Sequence, residues 1–288
     1  MVHHDIESSK DGAIVCWDAG AVVRSTLDAA FTKLGMEKLL PRRMKRATAL
    51  RLAMMAWIAA RNTGRRRQRY DFNPLDRRVC GFEAVLQSKG DEKNLHQYQW
   101  SARVNPSTEQ VRVTTDGVSL GQAVDDEMTD LYRQHLMYYS ASTVGSLLKS
   151  AVCQRWMGAG IRGRGGVYFL PGWAMAEYEQ VASEIESADC TLHSVRFRVG
   201  NDDKTTRTVL YGFREDVQSL IAEINGDVFG ETEMRERGID SRIQRMTELT
   251  ERVKFYQDLF GVTLADLSEA IDATQSALQL AKLAKVSA

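Results

Sequence analysis

Apolar and polar residues alternate with different periods along the chain, and each period predicts a kind of element. Residues 12–18 form a short apolar run that predicts a first strand. Apolar positions then recur at helical spacing over residues 21–39 and, after Pro41, over residues 42–61. The N-terminal part is therefore expected to begin with one strand followed by two helices.

The second of these helices is amphipathic. Its apolar residues, among them Leu50 and Trp57, fall on one side of a helical wheel. Arg42, Lys45 and Arg46 lie on the opposite side. The pattern therefore predicts a helix with a buried apolar side and a basic outer face.

Beyond a cluster of arginines the period changes from helical to alternating. Residues 79–87, 95–104 and 110–114 predict three strands, joined through segments with good turn chemistry. In the middle strand apolar positions such as Trp100 alternate with polar ones such as Arg103. One face of this sheet is expected to pack on a core, and the other to meet water or a ligand.

The following segment has the element order of a winged helix. Residues 124–138 and 143–157 predict two helices separated by a short turn. A glycine-rich basic stretch, residues 158–166, leads into an apolar strand that ends at Pro171. Two helices followed by a hairpin with a basic tip predict a winged-helix-like unit.

The remainder of the chain is mainly helical. Residues 174–187 predict a helix, and residues 194–199 and 206–210 predict a strand hairpin. Apolar residues then recur with spacings of three and four from Met246 onwards, and again after Gly261. This spacing predicts either a helical hairpin or a coiled coil broken at Gly261.

Together these elements predict an α+β fold in three parts. Residues 1–117 are expected to form an N-terminal α+β domain, with helices and an antiparallel meander. Residues 122–230 are expected to form the winged-helix-like α/β domain, and residues 231–288 a helical or coiled-coil segment. A chain of 288 residues is long enough for such domains to bury their own cores.

One stretch of the C-terminal half resembles a known but uncharacterised protein family. It runs from Val144-Gly-Ser-Leu-Leu to Arg162-Gly-Arg-Gly-Gly-Val-Tyr-Phe-Leu-Pro171 and is followed by a helix, a hairpin and long helices. The resemblance is to bacterial and phage proteins of mobile elements and is limited to the C-terminal half. It implies a phage or mobile-element origin and carries over no catalytic residues.

The charges are segregated along the chain although the formal net charge is zero, with 38 basic and 38 acidic residues. Residues 41–70 contain ten Lys and Arg and no acid. From Arg214 to the C-terminus there are fourteen Asp and Glu against nine Lys and Arg. One part of the molecule should therefore attract polyanions while another repels them.

The candidate nucleic-acid-binding residues come from two places. Lys and Arg neutralise backbone phosphates and release counterions, so the basic segment could bind nucleic acid. The alternative is that it is only a solvated surface whose charge is balanced by acids elsewhere in the fold. The helix at 143–157 is poor in the side chains that read base edges, which disfavours sequence-specific recognition. The candidates are Arg42, Lys45, Arg46, Arg65, Arg66, Arg67 and Arg69 in the basic segment, and Lys149, Arg155, Arg162 and Arg164 in the winged-helix-like segment.

Recognisable catalytic and metal-binding patterns are missing from the sequence. The four cysteines and five histidines show no zinc-like spacing, and residues 158–166 lack the spacing of a nucleotide-binding loop. Neither a signal peptide nor a membrane-spanning run is recognisable. We therefore expect a cytoplasmic protein without cofactor, metal or membrane partner.

These observations rank three classes of function. The leading hypothesis is a non-enzymatic nucleic-acid-binding or nucleoprotein-assembly protein of phage or mobile-element type, binding DNA or RNA phosphates without strong sequence specificity and self-associating through its C-terminal helices. The alternative is a structural or adaptor protein that docks a protein partner or another copy of itself through its helices and basic patch. An enzyme whose site is assembled from distant residues ranks third.

Overall fold

The structure, a computed structural model, describes residues 11–61, 69–75, 80–87, 96–161, 166–186, 190–198, 203–229 and 236–286. The chain divides into two compact units. Unit 1 comprises Met1–Gly20, Leu27–Leu40 and Ala141–Ala288, and unit 2 comprises Ala21–Thr26 and Pro41–Ser140. Both units are discontinuous in sequence, whereas the three expected domains follow the order of the chain.

The described residues form antiparallel strands and eight α-helices. The strands are β1 (Asp11–Asp18), β2 (Val22–Val23), β3 (Arg69–Pro74), β4 (Gly81–Gln87), β5 (His96–Val104), β6 (Val111–Thr115), β7 (Val118–Ser119), β8 (Tyr138–Tyr139), β9 (Ala159–Gly160), β10 (Val167–Pro171) and β11 (Thr191–Arg198). The helices are α1 (Arg24–Lys33), α2 (Arg46–Arg61), α3 (Gln122–Met137), α4 (Ala141–Ser150), α5 (Met175–Ile185), α6 (Asp203–Phe229), α7 (Glu236–Phe260) and α8 (Ala265–Val286). The mixed α+β class predicted from the sequence is thereby confirmed.

Unit 2 is a five-stranded antiparallel sheet in the order β3-β4-β5-β6-β7, with α2 and α3 packed against it. The apolar side of α2, including Leu50 and Trp57, joins Ala84, Ala102 and Val113 of the sheet in one core. Because successive strand residues point to opposite faces, the polar residues between these positions lie on the outer face of the sheet. The three strands predicted here are confirmed, and β3 and β7 extend the sheet at its edges.

Unit 1 contains a four-stranded antiparallel sheet in the order β11-β1-β10-β9. Phe169 of β10 contacts Tyr256 and Phe260 of α7, which places the C-terminal helices against this sheet. Gly212 of α6 comes so close to the backbone of β9 that an added Cβ would collide with the carbonyl oxygen of Gly160. Glycine is required at this position because only hydrogen fits between helix and strand.

Helices α6, α7 and α8 alternate in direction. Three ion pairs show this: Arg252 with Asp216, Arg245 with Glu223, and Lys282 with Asp240. The first two join α7 to α6 in antiparallel register, and the third joins the end of α8 to the start of α7. The predicted break at Gly261, which has a φ of 64°, is confirmed. The result is a helical hairpin packed on a third helix, and the coiled-coil alternative is not confirmed.

The predicted strand at residues 206–210 is wrong, because this stretch lies inside α6. The helix buries Val209, Phe213, Val217 and Ile221, a stripe at four-residue spacing. Burial of such a stripe against α7 and α8 stabilises a helix whatever the preference of a short segment rich in threonine and valine. Local propensity was therefore overridden by tertiary packing.

The winged-helix interpretation is not confirmed. Helix α3 packs on the sheet of unit 2, while α4 belongs to unit 1. After α4 the chain widens into a π-helical turn, Ala151–Arg155, in which the Trp156 N–H donates to the Ala151 carbonyl. Strands β9 and β10 do pair as a hairpin, but they form part of the four-stranded sheet with β1 and β11. The hairpin is therefore an integral part of a sheet rather than a separate wing.

Candidate nucleic-acid interface

The basic segment enters unit 2 just before α2. Arg42, Arg43 and Lys45 are exposed, and none of them forms an ion pair with any residue in the described part of the chain. We call these three residues the α2 cation patch. Arg51, one turn into the helix, is also exposed and without an ion pair among the described residues. The helix predicted over residues 42–61 begins only at Arg46, so Arg42, Arg43 and Lys45 lie in the non-helical segment before it rather than on its outer face.

The N-terminus of α2 adds to the positive potential of the patch. Its first turn contains no acid, although the positive end of a helix dipole favours acids and disfavours cations. The first backbone N–H groups of a helix also lack intrahelical acceptors. Cations before a helix N-terminus and its outward-pointing N–H groups together suit an anion such as phosphate.

Two cations of the same region serve the fold instead. Arg46 donates to Glu109 at 3.1 Å, and Arg61 donates to both carboxylate oxygens of Glu127 at 3.2 and 2.5 Å while stacking over Trp57. The Arg61 guanidinium holds the pKa of the Glu127 carboxyl below its usual value. Arg46 and Arg61 are therefore better explained as surface charges that acids of the fold neutralise than as phosphate-binding residues.

The outer face of the sheet carries a second group of cations that the sequence argument did not single out. Arg103 of β5 and Arg112 of β6 are exposed and stand directly opposite each other in the strand register. Their neighbours Ala102 and Val113 are fully buried on the helix-facing side. The alternating pattern of β5 had placed Arg103 on the outward face, but only the register shows that Arg112 stands beside it.

The candidate residues of the winged-helix-like segment belong to unit 1. Arg155 donates two hydrogen bonds to Glu177, at 2.8 and 3.1 Å, and Glu177 also accepts the indole N–H of the buried Trp156. Arg155 is therefore a structural residue, whereas Lys149 is exposed on α4. The structure thus assigns Lys149 and Arg155 to a different unit from Arg42, Lys45 and Arg46.

Six candidate arginines lie wholly, or with their side chains, outside the described part of the chain. Arg65, Arg66 and Arg67, together with Arg162 and Arg164, lie outside the described residues. Arg69 begins β3, but its side chain is likewise outside the description. The predictions for these six arginines stay predictions.

Unit 1 has a groove of about 1200 Å³ lined by the π-helical turn, α6 and α7. Acidic and basic residues line it in equal number, and most of these cations are paired with carboxylates. At its floor the buried Arg252 donates to the Gly158 carbonyl at 2.7 Å and to Asp216 at 3.3 Å. A groove of balanced charge does not attract a polyanion.

Two side chains that line the groove, Cys153 and Tyr168, have raised pKa values. Burial raises the pKa of the Cys153 thiol, which keeps it protonated and weakly nucleophilic. Burial likewise raises the pKa of Tyr168 to about 12. Within the residues that the structure describes, no three His, Cys, Asp or Glu side chains are grouped as metal ligands.

Two acids in the N-terminal part of α3, Asp125 and Glu127, also have structural partners. Asp125 accepts the Val113 N–H at 2.7 Å, and Glu127 accepts from Arg61 and Trp57. These carboxylates position β6 and α2 on α3.

No helix within the described part of the chain is long and apolar enough to cross a membrane.

Comparison with known proteins places the chain in a family. No curated protein and no solved structure matches it. The family described as a family of unknown function (DUF6744) matches residues 12–287. The similarity therefore covers both units and is much wider than the C-terminal resemblance suggested by the sequence motifs. The chain belongs to the DUF6744 family.

Proposed function

We propose that unit 2 binds the phosphate backbone of nucleic acid through the α2 cation patch without reading the base sequence. The observation that carries this proposal is the set of three exposed cations, Arg42, Arg43 and Lys45, that have no ion pair among the described residues. Phosphate contacts of this kind supply sequence-independent affinity. The proposed protein is therefore a non-enzymatic DNA- or RNA-binding protein, consistent with the suggested phage or mobile-element origin.

The pairing of individual cations in unit 2 supports the proposal better than the net charge of the chain does. Within unit 2, Arg46 at the start of α2 and Arg61 at its end each have a carboxylate partner. Arg42, Arg43 and Lys45 directly precede Arg46 in the chain and have no carboxylate partner among the described residues. Cations held together in this way repel one another and offer a local positive potential to a polyanion.

Self-association through the C-terminal helices is not part of this proposal. The residues expected to form the apolar seam, among them Met246, Val253 and Ile271, are buried within unit 1 itself. Their contact surface is already occupied by α6, α7 and α8 of the same chain. The adaptor hypothesis, with the patch docking an acidic protein surface, is instead an outcome of the following test.

The test is the salt dependence of binding to two fluorescein-labelled DNA duplexes of unrelated sequence. Changing Arg42→Gln, Arg43→Gln and Lys45→Gln together should flatten the slope of log affinity against log salt by about 2 to 3 units, since each lost phosphate contact removes about 0.9. The loss should be equal for both duplexes because phosphate contacts carry no sequence information. Thermal stability should change little, since exposed unpaired residues add little to folding.

The matched control is Arg133→Gln, Arg207→Gln and Lys254→Gln, which removes three exposed cations elsewhere. This variant should keep most of the parent's slope, because long-range charge alone contributes less than direct contacts. A triple patch variant with the parent's affinity and slope would contradict the proposal. Absence of duplex and RNA binding by the parent at low salt would favour the adaptor hypothesis.

A further inference from the structure

The outer face of the unit 2 sheet holds two like charges side by side. In the β5–β6 register Arg103 is the direct partner of Arg112, and the flanking pairs Ala102–Val113 and Val104–Val111 are buried on the other face. Directly opposed residues in an antiparallel pair point to the same side, with their Cβ atoms about 5 Å apart. Both arginine side chains therefore start from directly neighbouring positions on the outer face.

Among the described residues the two arginines have no carboxylate partner that would offset their repulsion. Neither forms an ion pair with any residue in the described part of unit 2, and both are exposed. Glu83 shares the outer face but stands opposite Ser101 in the register and forms no described ion pair with either arginine. Like charges directly opposite each other destabilise a strand pair, so an anion shared by the two guanidinium groups would stabilise it.

The residues around the pair leave it accessible. The aliphatic stem of Arg103 lies over Gly81 of the neighbouring strand, where an added Cβ would meet its Cγ at 3.2 Å. On the other side the Ser101 and Thr114 hydroxyls bond to each other at 2.7 Å. These two hydroxyls bond to each other, whereas both arginine side chains are exposed and have no ion pair among the described residues.

The pair and the α2 cation patch flank the same turn. Residues 105–110 connect β5 to β6 immediately beyond Arg103 and Arg112. Arg46, the first residue of α2, donates to Glu109 within that turn. The turn that joins the strands of the arginine pair therefore contacts the first residue of α2, which directly follows Lys45 of the α2 cation patch.

We propose that Arg103 and Arg112 jointly hold one phosphate of a nucleic-acid backbone whose neighbouring phosphates contact the α2 cation patch around the 105–110 turn. This inference rests on the proposed function. Guanidinium groups present donors in a planar fork that matches two phosphate oxygens, which a lysine cannot do. Two forks on adjacent strands suit one phosphate better than two, because backbone phosphates themselves repel.

The experiment compares Arg103→Gln, Arg112→Gln and the double variant in duplex binding across a salt series. A shared phosphate predicts that the double variant binds only slightly more weakly than either single variant, and that its salt slope is flatter than the parent's by about 1 unit. Additive losses with a slope change of about 2 units would overturn the shared site. Parent-like affinity and slope in the double variant would overturn the inference altogether.

Two further measurements separate this inference from its alternatives. Lysine at both positions keeps the charge but loses the fork, so Arg103→Lys with Arg112→Lys should recover only part of the lost affinity. If inorganic phosphate, compared with chloride at equal ionic strength, stabilises the parent against heat but not the double glutamine variant, while duplex binding is unchanged, the site takes free phosphate and the backbone proposal is wrong.

The proposed function can fail independently of this inference. The triple patch variant and the double arginine variant are titrated with the same duplexes in parallel. Loss of binding in the double variant with none in the triple variant would overturn the α2 cation patch and keep the arginine pair as a phosphate site. Loss in the triple variant alone would do the reverse.

Discussion

Arginine has a different environment in each unit of this protein. In the described part of unit 1 five arginines pair with carboxylates: Arg155 with Glu177, Arg196 with Glu179, Arg214 with Asp266, Arg245 with Glu223, and Arg252 with Asp216. In unit 2 the described ion pairs of arginine are those of Arg46 and Arg61. The other exposed arginines of its described part include Arg42, Arg43, Arg51, Arg103 and Arg112.

This difference shows that a cation's ability to bind an anion depends on whether a carboxylate is already paired with it. The formal net charge of the chain is zero, yet the pairing of charges is uneven. A guanidinium already hydrogen-bonded to a carboxylate must give up that partner before it can bind phosphate, whereas an unpaired one gives up only water. Arg42, Arg43, Arg103 and Arg112 of unit 2 are therefore available to a polyanion, whereas the five paired arginines of unit 1 already have a carboxylate partner.

The largest expected effect concerns the packed helices of unit 1. Val253→Asp places a charge in the core formed by α6, α7 and α8, where Val253 is 2% exposed. The variant should lose about 4 kcal/mol or more of unfolding free energy, or fail to fold in this unit. Urea unfolding followed by circular dichroism measures this.

The adjacent exposed residue supplies the control for that change. Lys254→Asp changes the charge on the same turn of α7 but leaves the core intact, and it should cost less than about 1 kcal/mol. Equal stability of the Val253→Asp variant and the parent would contradict the helix packing described for unit 1.

The second effect tests whether the paired arginines of unit 1 stabilise the fold. Arg252→Met removes the donor to the Gly158 carbonyl and leaves Asp216, which is 33% exposed, without its cation. We expect a loss of about 3 kcal/mol, because a partly buried carboxylate and a buried carbonyl lose their partner. Thermal and urea unfolding measure the loss.

Arg214→Met provides a comparison on the same bundle. Its ion pair with Asp266 is exposed, so removal should cost less than about 1 kcal/mol. If the two variants lost equal stability, burial would not distinguish the arginines of unit 1.

The smallest effect concerns a compensated cation in unit 2. Glu127→Gln weakens the pairing with Arg61 and should cost about 1 kcal/mol at neutral pH, since the pair is exposed but Glu127 also accepts from Trp57. The folded pKa of Glu127 is lowered, so its stabilisation is present above the ordinary glutamate pKa and is lost as pH falls through the lowered value.

The pH dependence makes this effect specific. The parent and Glu127→Gln should differ in unfolding free energy at neutral pH and converge in acid, where Glu127 is protonated in both folded and unfolded chains. A difference that stayed constant into acid would mean that the charge of Glu127 is irrelevant. Affinity for nucleic acid should be unchanged, because Arg61 is not part of the proposed interface.

Much of the fold could be predicted from periodicity. Strand β1, the strands β4 to β6 and the C-terminal helices each have a pattern contained in a short window, and all were predicted. Helix α6 was partly mistaken for a strand because Thr206 and Val209 favour extended structure locally. The stripe that buries Val209 and Phe213 is stabilised by helices that follow later in the chain.

The candidate site was predictable only as a concentration of charge. The basic segment was visible in the composition. Which of its cations pair with a carboxylate, and which do not, was not visible. Arg61 and Glu127 are separated by 66 positions, and Arg46 and Glu109 by 63. A pairing between residues so far apart depends on the tertiary fold. The same holds for Arg103 and Arg112, whose partnership depends on the strand register.

Chemical modification of arginine tests the contrast between the units most directly. Phenylglyoxal is applied to the free protein and to its complex with a DNA duplex, and the modified arginines are identified by mass spectrometry. The same spectra report on Arg65, Arg66, Arg67, Arg162 and Arg164. We predict that the duplex protects Arg42, Arg43, Arg103 and Arg112 and leaves Arg207 of unit 1 as reactive as before. Protection of Arg207 with unchanged reactivity at the four unit 2 arginines would contradict it.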